Sequence, residues 1–576
     1  MAKPQTAAFG IALAIVATLV LWAAKSNSGW VVRSRTPFYY NVRSYGAQGD
    51  GISEDTRALQ AAIDAAAKHG GGLVLLPPGR YLSGTLHLRS NVSLRLSSGA
   101  TLIASRDDAD FDSYERPPPG SISTTKVTWI VPLQERRPVA PRRWWKTIDD
   151  PDTTYAHYSL IVGDHVSNVT IDGAGTIDGN RTRRGGPKLI ALKNCRHVAV
   201  RGITLRNAPN YNISLIGTED ADLEDLTIIN GYADGIDPDD SRFVRIANCY
   251  IDTLDDAICA KASLALGRRL ATEDLVVTNC ILRTSNNGFK FGTESEGDLR
   301  NVTFSDCLIL RRAHGRAPIT GVAIESVDGG EVSAVAISNV VMRGVRTPIF
   351  LRLGNRGRGM TVRCPGRIRD ITISNVSALD TTKSSSISGL PGYPIRDVTL
   401  TNVDVQEIGG NRFPGLAVPE LPQGYPQGEM FGILPAYSLY ARHVDGLTVN
   451  NWRDRWERKD LRPAAIFDDV SNLRIREFDA DAAAGSQPVI LLRNAGRPLI
   501  ESVSVAQRNA LPPQPEGADG NEIAIFAESG PRSGGGGREA LDENRRFRSP
   551  APRPSAVSPR AFVRHPSPDS GPSFVF

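Results

Sequence analysis

The chain has 576 residues, with 67 basic and 62 acidic side chains and a formal net charge of +5. Eight arginines and four acidic residues lie beyond residue 530, so most of the excess charge belongs to the C-terminal end, and the nearly neutral body argues against nucleic acid as a partner. The 54 glycines and 38 prolines follow no period of three, which excludes a collagen-like chain, and 40% hydrophobic residues suffice for a buried core.

The first predicted element is an export segment within residues 1–28. Lys3 precedes an apolar run from Ala7 to Ala24, and Lys25 closes that run. Eighteen residues is long for the core of a cleaved signal and just short of a comfortable membrane span. A cleaved signal peptide, an uncleaved membrane anchor and a buried hydrophobic element therefore remain open. We expect an exported protein, periplasmic or extracellular, which is tethered to the membrane if the segment is retained.

The next predicted element is a helix from Ser53 to His69. Ser53 is the expected N-cap, and Gly70 is expected to end the helix. Apolar residues recur between these limits at the spacing of one helical face, namely Ala58, Leu59, Ala62, Ile63 and Ala66.

A Pro- and Trp-containing insertion is predicted at about residues 106–158. It holds a run from Pro117 to Pro119 and the adjacent pair Trp144 and Trp145. Long irregular insertions are usually either functional loops or disordered segments. The two tryptophans favour an ordered loop, which could cover a sugar-binding cleft.

The dominant signal is an internal repeat of short strands joined by Asn, Asp and Gly turns. It is seen in NVTIDGAGTIDG from Asn168, FVRIANCYID from Phe243 and IRDITISNVSALD from Ile368. Most repeats lie 21 to 33 residues apart, which is typical of one turn of a solenoid. We predict an all-β fold over residues 36–507, a single-stranded right-handed parallel β-helix whose first coil is covered by the predicted helix. Residues 508–576, rich in Gly, Pro, Ser and Arg, are predicted to be a disordered tail.

Four of the six cysteines occupy the same place in the repeat. Cys195, Cys249 and Cys280 each follow an asparagine, and Cys307 follows Asp306. This recurrence favours small core residues stacked coil upon coil over disulfides, which an exported protein would also permit. The absence of any Cys-x-x-Cys pair argues against a cysteine-based metal site.

Three neighbouring repeats predict a ladder of polar side chains. They read DGID from Asp234, DAIC from Asp256 and NGFK from Asn287. If the large apolar third residue of each stacks in the core, the first residues form a row along the helix axis, with Asp255 beside it. The three aspartates would then lie within one or two coil spacings, and at least one pKa should rise because like charges so close cannot all ionise easily.

Such a cluster offers what glycoside hydrolysis requires, one protonated carboxylic acid at the leaving oxygen and ionised carboxylates elsewhere. Acidic residues also occur at coil corners for turn geometry alone, or as calcium ligands. We assign the cluster to catalysis, and Asp237, Asp239 and Asp240 to the structural group.

Several motifs carry a family resemblance that covers roughly residues 40 to 480. They are NVRSYGAQGDGISEDTRALQAAID from Asn41, VTIDGAGTIDG, GITLRNAPNYNISL, and the pair YAD ending at Asp234 and LDD ending at Asp256. The sequence resembles glycoside hydrolase family 28, the polygalacturonase and rhamnogalacturonase group of pectin-lyase-like β-helices. That family has Asn-x-Asp followed by Gly-Asp-Asp, so the aspartates are kept while the flanking Asn and Gly are not. The resemblance implies inversion, with Asp255 as general acid and Asp234 and Asp256 activating the attacking water.

The expected substrate-binding residues depart from that family. Its Gly-His-Gly is replaced by NNG at 286–288, and its Arg-Ile-Lys, which grips the galacturonate carboxylate, by AIE at 323–325. Plain polygalacturonan is therefore a weaker substrate expectation. Asn287, Lys290 and Arg352 are the candidate substrate-binding residues. Lys290 would restore a cation if it points into the cleft and is otherwise a solvated surface lysine.

The sequence as a whole predicts a monomeric glycoside hydrolase acting on a pectic, uronate-containing polysaccharide or oligosaccharide, with no metal or other cofactor. A polysaccharide lyase on the same fold, using a cationic base with calcium, is the enzymatic alternative. A non-catalytic glycan-binding or surface β-helix is the second alternative, prompted by the missing His, Arg and Lys.

Overall fold

Short strands wind repeatedly through three faces of a parallel β-helix. This computed structural model describes residues 39–115, 155–483, 488–496, 498–507 and 522–525. The predicted export segment, Trp144 and Trp145 of the insertion, and nearly all of the predicted tail lie outside these ranges. The chain divides into units 1–529 and 530–576, and every described residue belongs to the first. Within the described ranges, no helix combines the length and apolarity needed to span a membrane.

The strands group by the face on which they stack. The first face contains β1 (Tyr39–Asn41), β3 (Gly72–Leu76), β6 (Val92–Leu96), β9 (Ser167–Gly173), β12 (Arg196–Arg201), β15 (Glu219–Glu224), β18 (Arg242–Ala247), β21 (Thr272–Thr278) and β35 (Leu499–Ile500). The second contains β2 (Asp50–Glu54), β4 (Gly79–Ser83), β7 (Ala100–Ala104), β10 (Thr176–Asp178), β13 (Thr204–Arg206), β16 (Thr227–Gly231), β19 (Tyr250–Thr253), β22 (Ile281–Thr284) and β36 (Val503–Gln507).

The third face carries the candidate site. It contains β5 (Leu86–His87), β8 (Ser159–Asp164), β11 (Lys188–Lys193), β14 (Ile213–Ile216), β17 (Ile236–Asp239), β20 (Ile258–Ala262), β23 (Asn287–Ser295), β25 (Thr320–Ser326), β27 (Thr347–Leu353), β29 (Ser385–Ser388), β32 (Ala465–Ser471), β34 (Ile490–Arg493) and β37 (Glu522–Ile525). Longer strands bend from the first face into the second, namely β24 (Leu299–Arg311), β26 (Glu331–Arg343), β28 (Arg367–Thr381), β30 (Ile395–Gly409), β31 (Leu439–Arg458) and β33 (Arg474–Ala482). Strand β31 begins on the third face.

Parallel pairing in register builds one continuous core. Val198 pairs with Val169 on one side and with Ala221 on the other, and all three side chains point inward and are buried. Alternate residues of these strands face the core because side chains alternate across a strand. At the last coil, β37 pairs antiparallel with β34. The predicted parallel β-helix is confirmed.

The predicted capping helix is present as α1 (Thr56–Lys68), with Leu59, Ala62, Ile63 and Ala66 buried against the first coils. Its N-cap is Asp55 rather than Ser53. Ser53 belongs to β2 and hydrogen-bonds Asp50, whereas the Asp55 carboxylate accepts the backbone N–H groups of Gln48 and Gly49 at 2.7 and 3.0 Å. The last strand residue, Glu54, and the N-cap therefore follow the serine before the helix begins, so the predicted N-cap was two residues early.

Asparagines at the coil corners form a hydrogen-bonded ladder. The Asn402 side chain donates to the Oδ1 of Asn375 and accepts from Asn451, both at 2.9 Å. Asn402 has φ +54°, and its neighbours in the ladder are likewise left-handed. Asparagine tolerates this conformation better than most residues, which explains its recurrence before each turn.

Three of the four recurring cysteines stack as predicted, because Cys249, Cys280 and Cys307 lie at the corner between the first and second faces. Cys195 lies at the corner between β11 and β12, so its predicted place in the same stack was wrong. Cys195, Cys249, Cys280 and Cys307 are all free and buried. The backbone N–H of Cys280 contacts the Sγ of Cys307 in the next coil at 3.4 Å. The stacked arrangement is confirmed over the disulfide alternative.

Substitutions at Asn402 should separate its two contributions. Asn402→Gly loses the ladder hydrogen bonds, whereas Asn402→Ala also places a Cβ at φ +54°. The left-handed strain of about 1–2 kcal/mol exceeds the about 0.4–1 kcal/mol of chain entropy that glycine costs. We therefore expect denaturant unfolding to rank stability as wild type, then Gly, then Ala. Equal stability of the Gly and Ala variants would contradict a strained corner.

Candidate active site

The polar ladder lies where the sequence predicts it. Ile236 pairs with Ile258, and Ile258 pairs with Phe289, all fully buried in the core. The turns before these residues are joined by backbone hydrogen bonds, from the Gly235 N–H to the Asp256 oxygen and from the Ala257 N–H to the Asn287 oxygen, each at 2.9 Å. The predicted row of Asp234, Asp256 and Asn287 is confirmed.

Asp234, Asp255 and Asp256 form a compact carboxylate cluster. One oxygen of each lies within 4.8 Å of the others. Asp234 and Asp256 are 5% and 3% exposed, whereas the side chain of Asp255 is 23% exposed. Asp255 therefore presents the open edge of the cluster, and the other two form its floor.

A buried lysine neutralises one side of the cluster. The Lys261 ammonium lies 3.1 Å from Asp234 Oδ2, 3.0 Å from Asp237 Oδ2 and 3.0 Å from the Tyr211 hydroxyl, with its Nζ 4.2 Å from the tyrosine ring centroid. Asp237 is therefore part of the site, and its assignment to structural turn chemistry was wrong. It follows Ile236 in β17, so its side chain points to the outer face of the strand.

Asn287 and Lys290 contact Asp256 on the other side of the carboxylate cluster. The backbone and side-chain amides of Asn287 donate to Asp256 Oδ1 at 3.0 and 2.7 Å, and the Lys290 ammonium lies 3.1 Å from Asp256 Oδ2. The Tyr425 ring stands over Lys290 with its centroid 5.6 Å from Nζ. Lys290 is thus a buried cation facing the aspartates and not a solvated surface residue.

The third cation of the site, Arg184, contacts Asp255. Oδ2 of this aspartate accepts from Arg184, while Oδ1 accepts from the Asn286 side chain at 2.5 Å and from the Asp256 N–H at 3.1 Å. Arg184 lies in the turn between β10 and β11, three coils before the turn that carries Asp255. Its side chain therefore runs along the helix axis toward the cluster.

The pKa of at least one aspartate of the cluster is raised, as the sequence predicts. Burial, followed by repulsion from Asp237, raises the pKa of Asp234 well above its usual range, although Lys261 opposes this. Burial also raises the pKa of Asp237 to about 6. At Asp255, burial acts to raise the pKa, but Arg184, Asn286 and Lys290 together lower it below the usual value. Without substrate, these opposite shifts favour a proton on Asp234 over one on Asp255.

Arg352 is not brought to the aspartates. It is 1% exposed on β27, and its guanidinium donates to Ser388, Gly389, Glu420 and Leu421. These contacts fasten the segment between β30 and β31 to the outer face of the third sheet. The structure thus gives Arg352 a role in holding that segment, in place of the predicted contact with substrate.

Glu325 occupies the position where the family motif would carry lysine. It is fully buried, and neither carboxyl oxygen has a hydrogen-bond partner among the described residues. Burial raises its pKa to about 8, although Lys290 opposes the shift. Glu325 is therefore a neutral acid behind Lys290 at neutral pH.

Glu325→Gln should change how stability depends on pH. A folded pKa of about 8, above the ordinary value near 4.5, means that folding retains a proton between these limits. The wild type should lose stability as pH rises through this window, and the glutamine variant should not lose that part. The melting temperature of the variant minus that of wild type should grow from pH 5 to pH 8.5, whereas Glu331→Gln, whose carboxyl pairs with Arg369 on the outer surface, should show no such growth. A constant difference for Glu325→Gln would contradict the buried neutral acid.

Two trios in the described residues have ligand atoms close enough to hold a metal ion, Asp234 with Asp255 and Asp256, and Asp234 with Asp237 and Cys259. Lys261, Lys290 and Arg184 already contact oxygens of these carboxylates. These three cations bring positive charge to all four aspartates, as a metal ion would.

Sequence reasoning missed four contributors, and two of them had a signal. Asp237 and Lys261 lie on the outward-facing positions of β17 and β20, which strand alternation from Ile236 and Ile258 predicts. Arg184 and Tyr425 come from irregular segments that reach the site over other coils, and no periodicity in the sequence indicates such contacts.

Comparisons with known proteins cover the region that contains this site. Residues 148–417, which contain all three aspartates, match the model of glycosyl hydrolases family 28, and residues 39–100 match the model of rhamnogalacturonase A/epimerase, pectate lyase-like. A probable polygalacturonase of Vitis vinifera is 26% identical over 388 residues, covering 63% of this chain and 73% of the relative. An exo-poly-alpha-D-galacturonosidase of Dickeya chrysanthemi is 23% identical over 417 residues, covering 65% and 67%.

Among solved structures, the family 28 exopolygalacturonase of Yersinia enterocolitica shares the fold, with a TM-score of 0.56, 19% identity, and coverage of 76% of this chain and 78% of that one. The parallel β-helix, the aspartate cluster on its third face and the family match over that region agree with one another. Residues 148–417, which carry the aspartate cluster, are thus similar to glycosyl hydrolases family 28, and the chain is a glycoside hydrolase.

Proposed function

We propose that this enzyme hydrolyses α-glycosidic bonds in a pectic, uronate-containing polysaccharide or oligosaccharide. The observation that carries the proposal is the carboxylate cluster, with one oxygen each of Asp234, Asp255 and Asp256 within 4.8 Å inside the family-matched region. The relatives named as acting on polygalacturonate support the substrate class. Lys290 and Arg184 add positive charge, which suits an anionic sugar.

In the proposed mechanism, Asp255 is the general acid, because it is the most exposed of the three and presents the open edge of the cluster. It donates a proton to the glycosidic oxygen as the bond to the anomeric carbon breaks. A water held by Asp234 and Asp256 attacks that carbon and gives its proton to one of the two carboxylates. Oxygens within 4.8 Å of each other can both hydrogen-bond one water, since each such bond spans about 2.7 Å.

The mechanism requires the opposite distribution of protons from the one that the pKa shifts of Asp234 and Asp255 favour in the unliganded site. Asp234 must be ionised to act as a base, and Asp255 must be protonated to act as an acid. Closely coupled carboxyls share protons as a group, so a change at one partner shifts the others. The partner of Asp255 that can move without disturbing the buried floor is Arg184, which is one-third exposed.

Product analysis tests the proposed function. The purified protein should release new reducing ends from oligogalacturonides or rhamnogalacturonan fragments, and Asp255→Asn serves as the blank. An unsaturated, ultraviolet-absorbing product that is lost on adding chelator would indicate a lyase instead. Saturable binding with no new reducing ends on any pectic fragment would indicate a glycan-binding protein.

We propose inversion of the anomeric centre, following the family motif. The oxygen spacing of the cluster is shorter than the roughly 6.5–9.5 Å usual between acid and base in inverting enzymes, but here two carboxylates can hold the water between them. Proton NMR during the first minutes of reaction should show the β-anomer of the product. Initial release of the α-anomer would instead indicate a covalent intermediate.

We also propose export, with residues 1–28 as a signal or anchor. Cell fractionation should recover the full-length protein outside the cytoplasm. N-terminal sequencing of that material distinguishes a cleaved signal, which starts the mature chain after the apolar run, from a retained membrane anchor. Recovery in the cytoplasm alone would contradict export.

A further inference from the structure

Arg184 covers the carboxylate that the proposed mechanism needs as an acid. Its guanidinium contacts Asp255 Oδ2, and the two side chains are 33% and 23% exposed. After burial, Arg184 is the largest influence on the pKa of Asp255, and it acts to lower it. With Arg184 in this place, Asp255 is ionised and has no proton to donate.

The loop that carries Arg184 is anchored on both sides of it. On one side, Arg181 donates to the backbone oxygen of Arg106 at 2.7 Å and to Asp108 at 2.9 Å. On the other, the Gly185 N–H donates to the Pro209 oxygen at 2.8 Å. Gly185 and Gly186 have φ of +109° and +155°, which allows the chain to turn sharply directly after Arg184. The backbone is thus held on both sides, while the long Arg184 side chain reaches Asp255.

Arg184 is also the cation that an incoming sugar meets first. Of the three cationic groups that contact the aspartates in the described residues, Lys261 and Lys290 have side chains only 4% and 3% exposed. Both are committed to the floor of the cluster. A guanidinium offers two parallel N–H groups to a carboxylate, and it can exchange one carboxylate for another at small net cost.

We propose that Arg184 is a substrate-responsive latch: a uronate carboxylate binds its guanidinium, draws it from Asp255, and so frees Asp255 to take a proton from solvent and act as the acid. This rests on the proposed function and names the recognition element within it. The latch couples recognition to catalysis, because a sugar without a carboxylate leaves Asp255 paired and ionised. The exchange of carboxylates on Arg184 changes only hydrogen bonds and ion pairs, and the proton that Asp255 then binds comes from hydronium or a buffer acid in the solvent.

Kinetics of Arg184→Gln and Arg184→Lys test the latch, with Arg183→Gln as the matched control on an exposed neighbour. In the wild type, the alkaline limb of kcat should lie at higher pH than that of kcat/KM, because bound uronate has removed Arg184 from Asp255. In Arg184→Gln the limb of kcat/KM should move up and close this gap. KM for an aryl α-galacturonide should rise about 10–100-fold, the equivalent of one charge-assisted interaction. The lysine variant should fall between wild type and Gln, and Arg183→Gln should match wild type.

A neutral substrate distinguishes loss of uronate recognition by Arg184 from a general loss of activity in the variant. The wild type should prefer the aryl galacturonide to its methyl ester, and Arg184→Gln should lose at least 10-fold of that preference. Equal losses on both substrates with unchanged pH limbs would overturn the latch while leaving the proposed function intact.

A measurement without turnover keeps the two proposals distinguishable. The Asp255 carboxyl, followed by carbon NMR, should titrate at higher pH when galacturonate is added to wild type, and should start high in Arg184→Gln. No response in wild type would overturn the latch. Failure of wild type to cleave any uronide would overturn the proposed function, whatever the titration shows.

Discussion

Asp255→Asn should abolish nearly all cleavage of pectic oligosaccharides while the protein stays folded. Loss of a positioned general acid costs about 10²–10⁴-fold, and the effect should fall on kcat with little change in KM. The fold should survive because the backbone oxygen of Asp255, which accepts from Thr253 and Thr284 at 2.9 and 2.5 Å, is untouched. The asparagine side chain also retains one oxygen, which can accept from either Asn286 or Arg184. Initial rates and melting temperatures of wild type and variant check both statements.

The leaving group shows whether Asp255 acts as an acid. A sugar alkoxide needs protonation as it departs, whereas an acidic phenol does not. The loss for Asp255→Asn should therefore be much smaller on an aryl uronide with an acidic phenol than on an oligosaccharide. Asp404→Asn, the same change at an exposed residue that pairs with Arg453, should behave as wild type. An equal loss on both substrates, or full retained activity, would remove Asp255 from the acid role.

Lys261→Met should be the most destabilising single change in the site. Lys261 is buried against Asp234, Asp237 and Tyr211, and these partners hold the pKa of its ammonium well above the usual value despite burial. Removing one partner of a buried ion pair costs about 3–5 kcal/mol, because it leaves uncompensated charge. Activity should also be lost, since without the ammonium Asp234 holds its proton and cannot act as a base.

The deficit of Lys261→Met should depend on pH. Burial already raises the pKa of Asp234 and Asp237, and without the lysine both rise further. In acid both carboxyls are neutral, so the variant should lose less stability at pH 4.5 than at pH 8. The double variant Lys261→Met/Asp237→Asn should recover part of the loss at pH 8, and Lys68→Met, on the exposed side of α1, should cost little. A deficit equal at both pH values would contradict the charge balance.

The carboxylate ladder could be predicted from sequence because coil register is a local property. Ile236, Ile258 and Phe289 recur at one place in the repeat, and stacking them places the residues two positions earlier in a row. The same rule reaches Asp237, which alternation puts on the outer face. It was misassigned because aspartate is also common at coil corners, and composition alone does not separate the two uses.

The residues that reach the site from irregular segments could not be predicted from coil register. Tyr425 lies in the long segment between β30 and β31, and Arg184 reaches across three coils from an irregular turn. Such contacts depend on the conformation of loops, and loop sequences show no repeat from which that conformation could be predicted. The cation at Arg352 was misplaced for a related reason, since its partners, Glu420 and Leu421, belong to the same irregular segment.

The most direct test of the proposed hydrolysis is cleavage in ¹⁸O-labelled water, which shows whether oxygen from water enters the product. If Asp234 and Asp256 direct a water to the anomeric carbon and Asp255 protonates the leaving oxygen, mass spectrometry of the products from an oligogalacturonide should show one labelled oxygen on the new reducing end and a saturated new non-reducing end. An unlabelled reducing end paired with an unsaturated sugar would contradict the account, because the bond would then have been broken by elimination without water.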